Sequence, residues 1–126
     1  MTITIDIHTH QTQTGRQHVI AVGGRLDAST APTFSERVKP LLESGPGGIV
    51  LDLKNLEFIS SAGIREVIII SKHLRSLKSS FAIHRLQPQI QKVFEVIQAL
   101  PNISIFSNDQ DLDNYLEAIQ EKEKNR

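Results

Sequence analysis

The feature that most constrains the fold is a short apolar run near the middle of the chain, Ile49-Val50-Leu51-Asp52-Leu53. The turn-favouring residues Gly-Pro-Gly-Gly precede it at positions 45–48. A run this short and this apolar, bounded by turn residues, is typical of a strand that is covered on both faces. The sequence therefore predicts a central strand at 49–53.

An opening hairpin is predicted before this strand. Residues 2–8 alternate between polar and apolar side chains, which is the pattern of a half-buried strand. A second short strand is predicted at 18–22, and the polar residues 11–16 between the two contain a turn-favouring glycine. The apolar face of the first strand consists of Ile3, Ile5 and Ile7.

A first helix is predicted between the hairpin and the central strand. The period changes from residue 33, Pro32 fits a first helical turn, and Thr30 or Ala31 lies near the cap. We expect the helix to end at residues 45–48. Its apolar stripe is Phe34, Val38, Leu41 and Leu42.

The second half of the chain alternates between strands and helices in the same way. A buried strand is predicted at 81–83, and a helix opens at Gln87-Pro88. This helix ends at 100–102, a short strand follows at 103–106, and an amphipathic helix spans 109–121. The stripes of the two helices are Ile90, Val93, Phe94 and Ile97, then Leu112, Leu116 and Ile119.

This order of elements predicts an α/β fold in one domain. We expect a mixed β-sheet with about four helices packed largely on one face. The domain is predicted to cover residues 1–120, followed by a charged C-terminal tail at 121–126 that frays.

Composition argues against several classes of function. Lys plus Arg and Asp plus Glu both total 14, so no excess positive charge favours nucleic acid or an anionic membrane. The chain has no cysteine, which excludes disulfides and thiolate metal sites and fits the cytoplasm. No secretory signal or apolar run of about 20 residues is visible, so we expect a cytoplasmic protein without membrane insertion.

No pattern of catalytic or metal-binding residues stands out. The glycine clusters lack the lysine and serine of a phosphate-binding loop. His8 and His10 share one strand face and could pair on a metal, but without a third ligand they are interpreted as solvent-facing. We therefore expect no metal, no cofactor and no enzymatic activity, although a triad assembled from distant residues stays open.

The segment that stands out is residues 56–65, where a predicted loop at 54–59 leads into a second helix. Ser60 and Ser61 place two hydroxyls at the start of that helix, whose stripe is Ile64, Val67, Ile68, Ser71 and Leu74. Either serine would cap the helix. Alternatively, an exposed helix start accepts a phosphate, because its free N–H groups and dipole stabilise negative charge. The pattern alone leaves both interpretations open.

Three blocks of the sequence resemble bacterial anti-sigma factor antagonists of the STAS type. The blocks are Gly24-Arg25-Leu26-Asp27 with Thr30-Ala31, Ile49-Val50-Leu51-Asp52-Leu53, and Phe58-Ile59-Ser60-Ser61-Ala62-Gly63-Ile64. They occur in the order and spacing of that family over nearly the whole chain. The resemblance implies a STAS domain and a regulatory, non-enzymatic protein.

In that family, a serine that follows an aspartate after the central strand is phosphorylated. By position, the resemblance implies that Ser61 is the phosphoacceptor, with Ser60 in place of the aspartate and Ala62 in place of a second hydroxyl residue. The missing aspartate removes a negative charge beside the site. The implied partner-binding residues are Asp27, Ser60, Ser61, Ala62, Gly63, Ile64 and Arg65.

The resemblance also implies the partners. These are an anti-sigma factor that is also a serine protein kinase, and a serine phosphatase, with the chain itself a monomer or weak dimer. The unphosphorylated chain would bind the anti-sigma factor and be released on phosphorylation. The alternative is a structural STAS subunit of a larger signalling or transport assembly, without phosphorylation.

Overall fold

A computed structural model describes residues 2–13, 15–99 and 109–125 of the chain. These residues form five strands and four helices. In chain order they are β1 (Ile3–Thr12), β2 (Gly15–Leu26), α1 (Ala31–Glu43), β3 (Gly48–Asp52), β4 (Leu56–Ile59), α2 (Ser61–Ser76), β5 (Ser80–His84), α3 (Pro88–Ala99) and α4 (Asp109–Lys124).

The long strand β2 organises the sheet. It pairs with β1 as an antiparallel hairpin, and its first half pairs in parallel with β3, which pairs in parallel with β5. Its C-terminal end pairs in parallel with β4, after a shift in register between Gly24 and Arg25. Gly24 has φ +86°, and a Cβ there would lie 2.5 Å from the carbonyl oxygen of Thr2, so this irregularity requires glycine.

The strands and all four helices share one hydrophobic core. The strands contribute alternate side chains, as expected for a sheet with helices against one face. The buried or half-buried strand residues of this core are Ile3, Ile5, Ile7, Ile20, Val22, Leu26, Ile49, Leu51, Leu56, Ile59, Phe81 and Ile83. The fully enclosed helix residues are Phe34, Val38, Ile64, Val67, Ile70, Leu74, Ile90, Val93, Leu112 and Leu116. The predicted α/β fold with a mixed sheet and four helices is confirmed.

The opposite face of the sheet is open, which corrects one prediction. Val50 and Asp52 of β3 are only half-buried on that face. Asp52 lines a shallow polar groove there, together with Asp6 and His8 of β1. The apolar run at 49–53 is therefore not covered on both faces, and its helix-facing residues alone are fully buried.

The predicted loop at 54–59 is also wrong in its second half. Leu56–Ile59 is a strand, with Leu56 and Ile59 both fully buried. The strand predicted at 81–83 was expected to be buried, but these three residues of β5 are half-buried, and β3 is the strand that pairs with β5 within the described residues. The hairpin strands, in contrast, run on to Thr12 and start again at Gly15, so they are longer than predicted.

The predicted helices are present with small differences. In α3, Ile90 and Val93 are fully buried, whereas Phe94 and Ile97 are half-buried. Helix α4 continues to Lys124, beyond the residue at which we predicted the charged tail to begin. The predicted helix end at 100–102 and strand at 103–106 lie outside the described residues. Within the described ranges, every helix is too short or too polar to cross a lipid bilayer.

His18 is a buried titratable side chain beside the core. Its side chain in β2 is 3% exposed, and Nδ1 lies 2.9 Å from the hydroxyl of Thr9. Its Nε2 has no hydrogen-bond partner among the described residues. Burial, and the positive charge of Arg16, hold the pKa of His18 below its ordinary value of 6.5. The folded state therefore keeps this imidazole neutral.

This burial predicts a loss of stability in mild acid. As the pH falls through about 6.5, His18 binds a proton in the unfolded chain but stays neutral in the folded protein. The free energy of unfolding should therefore decrease, by at most ~1.4 kcal/mol per pH unit. The decrease should level off below the folded pKa. Urea unfolding at about pH 7.5 and pH 5.5 measures it. We expect His18→Gln to flatten this dependence, whereas His73→Gln, at an exposed position of α2, should retain it. An unchanged slope in His18→Gln would contradict the assignment.

Candidate functional site

The junction between β4 and α2 carries the two serines of the predicted site. Ser60 leaves the strand in an extended conformation, and α2 begins at Ser61. The Ser60 hydroxyl oxygen lies 3.4 Å from the backbone nitrogen of Gly63 and accepts its N–H. Ser60 is therefore the N-cap of α2, which decides between the two serines that the sequence left open.

The first turn of α2 is packed tightly against the C-terminal end of β2. The Ser60 N–H donates to the Leu26 carbonyl oxygen at 3.0 Å. A Cβ on Gly63 would lie 2.6 Å from that same oxygen and 2.7 Å from Cγ1 of Ile59. A side chain at position 63 would push the helix away from the sheet, so glycine fixes the position of the two serines.

Helix α4 covers this junction. The Ser61 N–H donates to Oδ1 of Asp113 at 2.8 Å. The amide of Gln120 bonds both backbone groups of Ile59, accepting its N–H at 3.0 Å and donating to its carbonyl oxygen at 2.8 Å. Ser60 is 7% exposed and Ser61 is 3% exposed. Our expectation of an exposed serine at the helix start is therefore wrong.

The carboxylate of Asp113 lies where an anion would bind at the start of α2. Backbone N–H groups in the first turn of a helix lack intrahelical partners, and the helix dipole favours negative charge there. The first turn of α2 contains no acidic residue of its own. Asp113 supplies that charge from a different helix, 52 residues along the chain.

Asp27 lies near this junction, in the turn between β2 and α1. Its Oδ1 accepts hydrogen bonds from the Ser29 N–H at 3.0 Å, the Ser29 hydroxyl at 2.7 Å and the Thr30 N–H at 3.2 Å. Its Oδ2 lies 3.5 Å from Nε of Arg25, whose guanidinium lies 4.0 Å from the ring centre of Phe58. Partial burial acts to raise the pKa of Asp27, but the bonds from Ser29 and Thr30 and the charge of Arg25 outweigh it and lower the pKa.

A surface depression of about 340 Å³ connects Asp27 with the junction. Ser60 and Asp113 both line it, and Ser61 does not. The remaining lining residues are Arg25, Ala28, Ser29, Phe58 and Glu117. The depression therefore exposes the rim of the predicted site, Asp27 and Ser60, whereas Ser61 is buried and does not line it.

The other predicted site residues differ in exposure. Ile64 is 2% exposed and belongs to the core, and Gly63 is buried against β2. Ala62 is half-buried, and Arg65 is exposed on the surface of α2. The structure thus brings Asp27 and Ser60 to one depression and turns Ile64 away from it.

Two residues of α4 at this site were missed by sequence reasoning. Gln120 continues the apolar stripe of Leu112 and Leu116 at a spacing of four residues, so a polar residue in a buried position was a readable signal. Asp113 carries no such signal, because its contact with Ser61 depends on how α4 packs. The residues described by the structure contain no group of three or more histidines or carboxylates that could hold a metal ion. His8 and His10 are both exposed.

Comparison with known proteins gives consistent matches. The family model of the STAS domain matches residues 8–112. A candidate anti-sigma factor antagonist of Bordetella bronchiseptica, BtrV, is 30% identical over 78 residues, which cover 62% of this chain and 67% of that protein.

Solved structures show the same fold. An anti-sigma factor antagonist from Mycobacterium paratuberculosis superposes with a TM-score of 0.65 at 20% identity, covering 78% of this chain and 80% of that one. The phosphorylated form of the Bacillus cell fate determinant SpoIIAA superposes with a TM-score of 0.61 at 19% identity, covering 78% and 86%. At these identities the structures establish the arrangement of helices and strands.

The packing at Gly63 predicts an unusual response to alanine. In the interior of an exposed helix, Gly→Ala stabilises by about 1 kcal/mol. Here the added methyl group meets the Leu26 carbonyl, so we expect Gly63→Ala to lower the free energy of unfolding by roughly 1–3 kcal/mol. Chemical denaturation of the two proteins measures this. A stabilised variant would show that α2 does not depend on close contact with β2.

Proposed function

The chain belongs to the STAS domain family, and from that membership we propose that it is an anti-sigma factor antagonist that acts by partner switching. In this proposal it works by binding and not by catalysis. The unmodified chain binds an anti-sigma factor that is also a serine kinase. Phosphorylation of Ser61 by that kinase releases the chain, and a serine phosphatase restores it.

The position of Ser61 is the observation that carries this proposal. Ser61 is the first residue of α2, directly after the short strand β4 and its cap Ser60. Phosphate on a residue at this position is favoured by the helix dipole, and it would compete with Asp113 for the N–H of Ser61. The Bordetella relative, whose name describes an anti-sigma factor antagonist, supports the role.

The proposed binding surface is the rim around this helix start. Asp27 and Ser60 line the same depression, and Arg65 and Ala62 extend the surface along α2. In this proposal Gly63 and Ile64 act by holding the helix in place, because both are buried. A partner that covers the rim would exclude water from the depression that Ser60 and Asp113 line.

Phosphorylation then weakens binding through charge. A phosphate adds about −1.5 to −2 charges with three strongly solvated oxygens. Burying the phosphate in an interface where no cationic side chain pairs with it costs several kcal/mol. Since each ~1.4 kcal/mol is a tenfold change, the affinity for the partner should fall by at least tenfold.

A second candidate function is a structural STAS subunit that is never phosphorylated. The specific observation in its favour is the burial of Ser61, which is 3% exposed and whose N–H already donates to Asp113. In that role the helix start would serve packing within a larger assembly.

Phosphopeptide mapping and binding measurements distinguish the two functions. We expect an anti-sigma-type serine kinase of the source organism, with ATP, to modify Ser61 and no other residue. Calorimetry should then show that the phosphorylated chain binds the kinase at least tenfold more weakly than the unmodified chain. The Ser61→Ala variant should bind as tightly as the unmodified chain with or without ATP.

The Ser61→Ala variant also separates modification from misfolding. Ser60 is the cap, so removing the Ser61 hydroxyl should change the free energy of unfolding by less than ~1 kcal/mol. Modification confined to Ser29, Thr30 or Ser71 would overturn the assignment of Ser61. Equal affinity of the phosphorylated and unmodified chains would favour the structural role.

A further inference from the structure

Helix α4 contacts the proposed phosphoacceptor, because Asp113 accepts the N–H of Ser61, a residue that is buried. A kinase must bring the serine hydroxyl in line with the γ-phosphate of ATP, and a residue that is only 3% exposed does not allow this approach. We propose that α4 is a displaceable cover of Ser61, and that docking of α4 and phosphorylation of Ser61 exclude each other. This inference rests on the proposed function, whose phosphorylation step it regulates.

The first argument is competition for one position. Oδ1 of Asp113 lies 2.8 Å from the Ser61 nitrogen and supplies the negative charge at the start of α2. A phosphate on Ser61 would place a second, larger negative charge beside that carboxylate. Like charges at this separation repel, and the phosphate can use the same N–H groups. Phosphorylation therefore removes the interactions that hold Asp113 at the start of α2.

The second argument is that α4 buries fewer apolar side chains than α2, the helix whose start it contacts. Helix α4 buries Leu112 and Leu116, with Ile119 half-buried beside them, whereas α2 buries Ile64, Val67, Ile70 and Leu74. Its attachment to the junction depends on the side chains of Asp113 and Gln120. Elements with few buried apolar contacts open at a lower free energy than the core.

The third argument is that opening leaves the sheet intact. Gln120 bonds the backbone of Ile59 at a point where β4 already pairs with β2 through Leu26. When α4 lifts, water can replace the glutamine amide at Ile59 while the strand pairing remains. A kinase would act on the open form, and the phosphate would keep it open, because the two events are thermodynamically linked.

The absence of cysteine from the chain provides a direct test. Ser61→Cys places a single thiol at the covered position, and Ser29→Cys places one at a nearby exposed position. We expect a maleimide to label position 61 at least tenfold more slowly than position 29 in the folded protein, and equally fast in denaturant. Equal rates in the folded protein would overturn the cover.

Two matched glutamine variants on α4 test the role of its attachment. In the Ser61→Cys background, Gln120→Ala removes the bonds to Ile59, whereas Gln110→Ala removes a bond to Asn114 on the same helix. We expect labelling at position 61 to accelerate roughly tenfold in Gln120→Ala, the factor that loss of buried hydrogen bonds implies, and less than about twofold in Gln110→Ala. Asp113 stays in place in both, so the thiol keeps the same neighbouring charge. Equal acceleration by both variants, or by neither, would contradict the proposal.

A pair of substitutions at position 61 tests the exclusion by charge. Ser61→Asp and Ser61→Asn have nearly the same size and differ in charge. The side-chain amide of Gln120, which donates to Ile59 and Leu116 in the docked state, reports α4 docking by NMR. We expect its resonances to move to solvent-like positions in Ser61→Asp and to stay in Ser61→Asn. Docked resonances in both variants would overturn the exclusion.

These outcomes are independent of the proposed function. Suppose that labelling at position 61 is slow, that Gln120→Ala accelerates it, and that no kinase tested phosphorylates Ser61. This result would support the proposed cover and overturn partner switching. Rapid labelling at position 61 together with phosphorylation of Ser61 would overturn the proposed cover and support partner switching.

Discussion

The closed form of the site depends on one interaction, the contact of α4 with the end of β4. Ile59 is buried, and its N–H and carbonyl oxygen need partners because an unpaired backbone group in the interior is costly. Gln120 bonds both groups with its side-chain amide, as a neighbouring strand would. Asp113 of the same helix accepts the N–H of Ser61, which lies two residues after Ile59. A helix thus completes the edge of a four-residue strand and closes the start of the next helix.

This arrangement follows from a sheet with two different faces. Helix-facing side chains of β1, β2 and β3 join one core with all four helices, while the opposite face stays polar and open. The first half of the long strand β2 pairs with β3, and its C-terminal end pairs with β4. The β4–α2 junction therefore lies beside the turn at Asp27. Gly63 allows α2 to approach Leu26, which fixes the distance between them. The core thereby determines where Ser61 lies.

Sequence patterns predicted the elements that depend on local residues. The alternation of Ile3, Ile5 and Ile7 gave the hairpin strand, and the helical stripes gave α1 to α4. The strand β4 was missed because four residues with an exposed Glu57 carry too little periodicity, and their pairing with β2 is distant in sequence. The burial of Ser61 was missed for the same reason, since Asp113 lies 52 residues away. The identity of the helix start was predictable from the residues, whereas its exposure depends on tertiary packing.

The central claim is that a cover formed by α4, separate from global unfolding, controls access to Ser61. Native-state hydrogen exchange tests it most directly, because the N–H groups of Ile59 and Ser61 are both bonded by α4 side chains. The account predicts that these two amides exchange together with the amides of α4, at a free energy of opening well below that of core amides such as Ile20 and Leu51. Exchange of Ser61 and Ile59 only through global unfolding, in step with Ile20 and Leu51, would contradict it.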